Sequence, residues 1–284
     1  MSDLVITSAA NPRLRALVAL RRRRVRDESG ATLVEGYEEL SLALAAGVTP
    51  HSVYVCPELF SPADQAGVQD IGVQEDLLGR LRGRGVAIVR LRRPAFEKVA
   101  YREGPDGLLA VVPTVSGRLA DLVVGTRDLV LVCQGVEKPG NLGAMLRTAE
   151  AAGVDAVVAA DPVTDWGNPN VVRASKGTVF SVPVASATTA ETLGWLREHG
   201  IALVVTTPDA GLDYTEVDYT GPVALAVGAE KHGADTALIG AAAYRVRIPM
   251  VGRANSLNVA ASAAIVVYEA LRQRRGGGPV SPRR

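Results

Sequence analysis

The stretch that decides the fold is Arg247-Ile248-Pro249-Met250-Val251-Gly252-Arg253-Ala254-Asn255-Ser256-Leu257-Asn258-Val259-Ala260, which runs into a long Ala- and Val-rich segment. A strand ends at Pro249, which has no N–H to donate to a sheet ladder. A polar loop through Gly252 and Asn255 follows, and Ser256 is placed to cap a helix reaching about Arg274. Strand, loop and capped helix start together make a seat for a ligand carrying a carboxylate or phosphate. An ordinary capped helix after a buried strand has the same pattern, so this segment does not decide function by itself.

Two further segments do more. Gln134-Gly135-Val136-Glu137-Lys138-Pro139-Gly140-Asn141-Leu142-Gly143-Ala144-Met145-Leu146-Arg147-Thr148-Ala149 follows the apolar strand Leu129–Cys133, and Ala226-Val227-Gly228-Ala229-Glu230-Lys231-His232-Gly233 follows the strand Pro222–Val227. In order, the three segments resemble the signature motifs of the SpoU (TrmH) family of RNA ribose 2′-O-methyltransferases, members of the SPOUT class. The resemblance covers most of residues 120–274. Lys138 departs from it, standing before Pro139 where the family more often has Asp or Asn, which bears on substrate contacts and not on the class. The fold this implies is α/β, with a parallel-sheet, trefoil-knotted catalytic domain behind a smaller N-terminal α/β domain of ribosomal-protein-like type. Periodicity alone does not yield the knot, which is a rare exception to chain topology.

The second half supports the α/β reading independently. Strands are expected near 129–133, 154–160, 179–184, 201–206, 222–227 and 244–248, and helices near 141–152, 169–176, 189–199, 235–240 and 256–274. Near-continuous apolar strands between helices imply a parallel sheet covered on both faces. A dinucleotide-binding reading fails because neither Gly135–Gly143 nor Gly228–Gly233 has the G-x-G-x-x-G spacing. A P-loop fails because Asn141 and Leu142, not Lys and Ser or Thr, follow Gly140.

The first half reads as a basic helix over Asn11–Arg26, strands at Thr32–Glu35, Ser52–Cys56, Val86–Leu91 and Leu108–Val112, and helices at Tyr37–Ala46 and Gln74–Arg84. Ile6-Thr7-Ser8-Ala9-Ala10-Asn11-Pro12-Arg13 and Leu33-Val34-Glu35-Gly36 resemble the substrate-binding domain at the front of many SpoU proteins. The expected domains are an RNA substrate-binding domain over 1–112, a linker over 113–127, a methyltransferase domain over 128–275, and a disordered tail over 276–284, rich in Gly, Pro and Arg.

Composition agrees without deciding. The chain has 284 residues, 48% of them hydrophobic and 4% aromatic, enough for two cores. No apolar run is long enough to span a membrane, and the N-terminus lacks a signal-peptide pattern. Cys56 and Cys133 stand alone, so neither disulfides nor a metal site are expected, and a reducing cytoplasm is the natural setting. Only four of 31 basic residues are lysine. A net charge of +1 is unusual for an RNA protein, but the charge is clustered. Arg13, Arg15, Arg21, Arg22, Arg23, Arg24 and Arg26 face only Asp3 in the first 26 residues, and Arg80 to Arg102 form a second basic region. Local arginine clusters suit RNA phosphate, although a single charge run is more often a solvated face.

The resemblance implies transfer of a methyl group from S-adenosylmethionine to a ribose 2′-hydroxyl by a homodimer, without metal. It assigns cofactor contacts to Thr206, Thr207, Pro208, Gly228, Ala229, Glu230, Ile248, Pro249, Met250, Ser256, Leu257 and Val259. It assigns catalysis to Arg147, with Asn141 and Glu230 orienting it and the ribose, and Ser256 and Asn258 completing the catalytic pocket as supporting or nucleotide contacts. A guanidinium is a poor general base, so Arg147 is expected to stabilise the developing alkoxide or to orient a phosphate that takes the proton. Glu35 and Arg173 join the front arginines as RNA contacts. Ribosomal RNA of the large subunit is the expected substrate, and some actinomycete enzymes of this kind protect it from thiostrepton or avilamycin. The competing readings are a transfer-RNA methyltransferase, a catalytically silent RNA-binding protein of the same fold, and a nicotinamide or nucleotide enzyme.

Overall fold

The structure is a computed structural model that describes residues 4–60 and 71–277. The expected tail falls largely on 278–284, outside the described residues. In chain order the elements are β1 Leu4–Ile6, α1 Pro12–Ala19, α2 Arg23–Ser29, β2 Ala31–Glu35, α3 Tyr37–Ala45, β3 Ser52–Val55, α4 Ile71–Gly83, β4 Ala87–Leu91, α5 Arg93–Val99 and β5 Leu108–Pro113. They continue as β6 Leu129–Gln134, α6 Pro139–Ala152, β7 Ala156–Ala160, α7 Pro169–Ala174, β8 Val184–Ala187, α8 Thr189–Glu198, β9 Ala202–Thr206, β10 Leu212–Asp213, β11 Val223–Val227, α9 Thr236–Ala241, β12 Tyr244–Arg247 and α10 Val259–Arg272.

The chain divides into two compact units. One comprises residues 1–115 together with Trp166–Ser181, and the other comprises 116–165 and 182–284. The first unit holds a five-stranded sheet in the order β1-β4-β3-β5-β2. Its β1, β4 and β3 run parallel, while β5 pairs antiparallel with both β3 and β2. Leu33, Cys56, Phe96 and Leu109, all fully buried, centre a core under α1 and α5. The segment after β7 was expected to stay with the second half. Instead α7 packs on β2, and the Thr32 hydroxyl donates to the Gly167 carbonyl.

Three local expectations are corrected. The single basic helix is two, because the chain breaks at Leu20–Arg22. The buried Arg26 guanidinium takes up the Leu20 and Arg21 carbonyls there at 3.0 and 2.8 Å. The strand expected over 179–184 is a 3₁₀ turn at Thr178–Phe180, and β8 starts only at Val184, beyond Pro183, which lacks a donor. Helix α10 is capped by Asn258 and not by Ser256.

The second unit is an all-parallel sheet in the order β10-β12-β9-β11-β6-β7-β8. Strands β6, β7 and β11 are buried at every position, which is what their unbroken apolar runs require when helices cover both faces. From β6 the chain steps outward through β7 and β8, then crosses to β9 on the far side of β11. Strand order therefore reverses between β6 and β11, and ligands of open α/β sheets bind at the carboxyl ends beside such a reversal. Helix α6 starts with Pro139 and stops at Gly153, whose φ of 69° completes a left-handed cap.

Candidate active site

The carboxyl ends of β9, β11 and β12 and the start of α6 enclose a cavity of about 670 Å³, within the usual range of about 300–1,000 Å³ for small-ligand sites. Each contributing loop has a local cause. Gly228 follows β11 where a Cβ would lie 2.0 Å from the backbone of both Gly233 and Ala234. The loop 228–234 closes on itself through paired Ala229 and Gly233 amides and carbonyls, with Gly233 at φ 68°. Gln134, buried at the end of β6, donates to the Thr189 hydroxyl at 2.8 Å and accepts from the Asp235 amide at 2.9 Å. Asp235 then caps α9 through the Leu238 amide. Gln134 thus fastens the far end of the 228–235 loop, a role not visible in the sequence, where it reads only as the start of a motif.

One chain of hydrogen bonds joins the three sequence motifs at the cavity wall. The Glu230 carboxylate accepts from the Asn141 side-chain amide at 2.7 Å and from the Glu137 and Lys138 backbone amides at 3.2 and 3.4 Å. The Asn141 carbonyl oxygen accepts from the Asn258 side-chain amide at 3.1 Å. The Asn258 carbonyl oxygen in turn accepts from the Ala260 and Ala261 amides, capping α10. The direction of every link is forced. A carboxylate can only accept and helix-end amides can only donate, so each asparagine between them has one allowed orientation. Partial burial opposes ionisation of Glu230, but the bonds from Asn141 and the backbone outweigh it and hold the carboxyl below its ordinary range.

Of the residues expected at a cofactor site, Thr206, Thr207, Pro208, Gly228, Ala229, Glu230, Ile248, Met250, Ser256, Leu257 and Val259 line this cavity. Pro249 does not. Asn141 and Asn258 do, and Lys138, Lys231, His232 and Asn255 are among the other residues of the wall. Lys231 pairs with Glu137 at 3.2 Å. The Thr206 hydroxyl is buried without a hydrogen-bond partner among the described residues, so the wall holds an unmet polar group that a polar ligand would satisfy.

Arg147 stands apart. It is exposed on α6 and is not among the cavity-lining residues. Six residues beyond Asn141 place it about 9 Å further along the helix and on another face. Ser256 lines the cavity but does not cap the helix.

The expected RNA contacts also divide. Arg13, Arg15, Arg22, Arg23 and Arg24 are exposed, the last two paired with Asp27 and Glu28 one turn on. Arg21, also exposed, donates to the Val99 and Ala100 carbonyls at 2.9 and 2.8 Å, and Arg26 is 1% exposed. Glu35 is fully buried, its carboxylate accepts from the Tyr101 backbone amide at 2.9 Å, and its own backbone amide donates to the Tyr101 hydroxyl at 3.2 Å. Burial raises its carboxyl to about 7 against the lowering effect of those bonds and of Arg102. From that position it shapes the Tyr101 loop and presents nothing at the surface. Arg173 is exposed and shares a concave surface with Arg102 and Lys176.

Cys56 and Cys133 are both buried and unpaired, and burial pushes the Cys133 thiol up to about 12. Among the described residues, no group of three or more His, Cys, Asp or Glu could hold a metal ion. No helix among them is long and apolar enough to cross a membrane.

With this geometry in place, comparison with known proteins is direct. Residues 128–268 match the SpoU rRNA methylase family, and residues 11–110 match an MRM3-like substrate-binding domain. The Bacillus subtilis 23S rRNA (guanosine(2553)-2′-O)-methyltransferase is 32% identical over 93% of this chain and 97% of its own. A crystal structure of an RNA 2′-O ribose methyltransferase superposes with a TM-score of 0.84 at 39% identity, covering 96% of this chain and all of that one. The S-adenosylmethionine-bound rRNA methyltransferase of Sinorhizobium meliloti gives 0.83 at 28% identity, over 95% and 97% of the two chains. The chain belongs to the SpoU rRNA methylase family. It is an S-adenosylmethionine-dependent RNA ribose 2′-O-methyltransferase.

Proposed function

We propose that this enzyme methylates a ribose 2′-hydroxyl of 23S ribosomal RNA and does so as a homodimer. The observation that carries the site assignment is the forced hydrogen-bond chain Glu230–Asn141–Asn258, which ties the three motifs to the rim of one cavity. The cofactor supplies an electrophilic methyl group when bound. The residues suited to hold it are the loop backbones of 206–208, 228–230 and 248–250 with Ser256, Leu257 and Val259, and the unmet Thr206 hydroxyl offers a polar contact. The same reading carries the knotted path of these loops. Asn141 and Glu230 orient the ribose, and Arg147 stabilises charge on the 2′-oxygen as its proton leaves.

Dimerisation is supported by two faces of the second unit. Helix α10 buries Val259, Ala263, Val266 and Val267 but leaves Ala261 and Tyr268 exposed and Ala264 and Ile265 partly so, an apolar stripe at helical spacing. Arg147 is exposed outside the cavity of its own chain, where it can serve the cavity of a second copy. A self-complementary two-fold contact through α10 meets both conditions. The exposed arginines of α1 and α2, with Arg173, give the RNA a basic footing. A ribosomal substrate would be met in the cytoplasm. Mapping 2′-O-methylated positions in ribosomal RNA from cells with and without the gene tests the substrate. Loss of one 23S position is expected, whereas loss of a transfer-RNA position alone would overturn the assignment. Drug sensitivity of the same pair of strains shows whether that methylation protects against thiostrepton- or avilamycin-type antibiotics.

A further inference from the structure

The first unit carries a second concavity, on the face of α3 that meets α4, and neither the methyl-transfer site nor the front arginine cluster uses it. It encloses about 310 Å³. Leu44 and Leu77 form apolar walls, Tyr37 lies along it, and Arg80, near the end of α4, and Arg84, in the turn just after it, stand at its rim. Both guanidiniums are exposed, and neither has a carboxylate partner among the described residues. The Ser41 hydroxyl, on the α3 wall, is buried and has no hydrogen-bond partner among the described residues.

These features differ from those of a solvated basic face. A charge run on a helix usually finds i,i+4 carboxylates, as Arg23, Arg24 and Arg93 do here. Arg80 and Arg84 instead flank a slot with apolar walls, an aromatic ring and one unmet hydroxyl. That combination matches a single unpaired nucleotide. The base is flat and largely apolar on its faces but needs a hydrogen bond at its edge, and its phosphate needs cations at the mouth. A paired base presents no free face, so the slot would select unpaired RNA.

We propose that the slot between α3 and α4 binds one unpaired nucleotide of the RNA substrate, with the base against Tyr37, Leu44 and Leu77, its edge at Ser41, and its phosphate across Arg80 and Arg84. The inference rests on RNA being the substrate and adds that the first unit reads looped RNA through this slot. It also gives a purpose to the Arg80–Arg84 region, which the sequence marks as basic without saying why.

The test uses the full-length protein and two RNA probes: a stem–loop carrying 4-thiouridine in its loop, and the fully paired duplex of the same stem. Wild type should prefer the stem–loop, and irradiation should crosslink the loop base to Tyr37 or its neighbours in the slot. Arg80→Ala/Arg84→Ala should lower the slope of log affinity against log salt by about 0.7, the share of the one single-strand phosphate the pair neutralises. Ser41→Ala removes the hydroxyl and adds no new atom. It should bind the stem–loop roughly tenfold more weakly and the duplex unchanged. Both variants should keep wild-type affinity for S-adenosylhomocysteine, which reports an intact second unit. Stem–loop binding with an unchanged slope and crosslinks elsewhere would overturn the slot while leaving RNA as the substrate. Absence of any RNA binding by wild type would overturn both. Occupation of the slot by a poly-glutamate peptide, with no competition from the stem–loop, would make it a protein-docking surface and end the proposal.

Discussion

Asn258 does two jobs with one amide, and substitutions can separate them. Its carbonyl oxygen caps α10 by accepting from the Ala260 amide at 2.9 Å and the Ala261 amide at 3.4 Å, while its NH₂ donates to Asn141 at 3.1 Å. Replacing Asn258 with Ala removes both. Loss of an N-cap costs about 1 kcal/mol, and loss of a neutral hydrogen bond about another 1 kcal/mol. Solvent exposure of the side chain trims the sum to roughly 1.5 kcal/mol, or about 3–6 °C in the unfolding transition of a unit this size. Asn258→Asp behaves differently. Its carboxylate still caps the helix and gains about 0.3–1 kcal/mol at the positive end of α10, so stability should stay within about 1 kcal/mol of wild type. It cannot donate to Asn141, however, and Asn141 cannot turn over without aiming its own oxygen at Glu230. The relay therefore breaks while the helix stays capped. Methyl transfer by Asn258→Asp should fall by about 10- to 100-fold, the usual cost of a small misplacement in a reacting site. Calorimetry gives the stabilities, and transfer of a tritiated methyl group to RNA gives the rates. Wild-type turnover by Asn258→Asp would refute the relay as a positioning device, and an unshifted melting temperature for Asn258→Ala would refute the cap.

Arg147→Ala should fold, bind S-adenosylhomocysteine and lose methyl transfer by orders of magnitude, because Arg147 is exposed and supports no observed structural contact; near-normal turnover would remove it from the chemistry. Mixing Arg147→Ala with Asn258→Ala chains should restore part of the activity if one site draws on two subunits, and sedimentation of wild type as a monomer with full activity would rule that arrangement out. Arg26→Ala should destabilise the first unit by about 2–4 kcal/mol through two orphaned carbonyls and a cavity, whereas Arg23→Ala/Arg24→Ala should leave stability alone and flatten the salt dependence of RNA binding. Glu35, raised to about 7, is protonated in the folded chain between pH 4.5 and 7 while an unfolded chain has already lost that proton. Stability of the first unit should therefore decline as pH rises through that window and level off above it. In Glu35→Gln that decline should disappear, and its persistence would place the titrating group elsewhere.

The parallel sheet was legible because strands buried on both faces admit few polar residues, and Leu129–Cys133 and Val223–Val227 show this without any partner in view. The three motifs were legible because their residue types are unusual together: two asparagines, a glutamate and two tight turns, the first two motifs each directly after an apolar strand. The helix cap was misplaced by two residues because Ser256 and Asn258 are equally good caps by type, and only the Asn141 oxygen beside Asn258 distinguishes them. The basic run at the front reads as one helix because nothing local to it announces a break. The break is held by the buried Arg26 guanidinium, which takes up the Leu20 and Arg21 carbonyls.

By itself, then, the sequence determined the α/β class, the positions of the cavity loops and the type of chemistry, since these follow from short-range patterns of apolarity, turns and polar residues. Tertiary structure decided which charges remain available. Arg21 and Arg26 are consumed by backbone carbonyls, Glu35 is sealed beneath Tyr101, and the segment after β7 packs on β2 in the first unit. Arg147 is turned out of the cavity that its motif helps to build. Arg26 finds its carbonyls within six residues, but Arg21 and Glu35 depend on partners far away in the chain, 78 and 66 residues off. Burial and pairing at that range are set by how whole elements pack, and no local pattern of residue types encodes them.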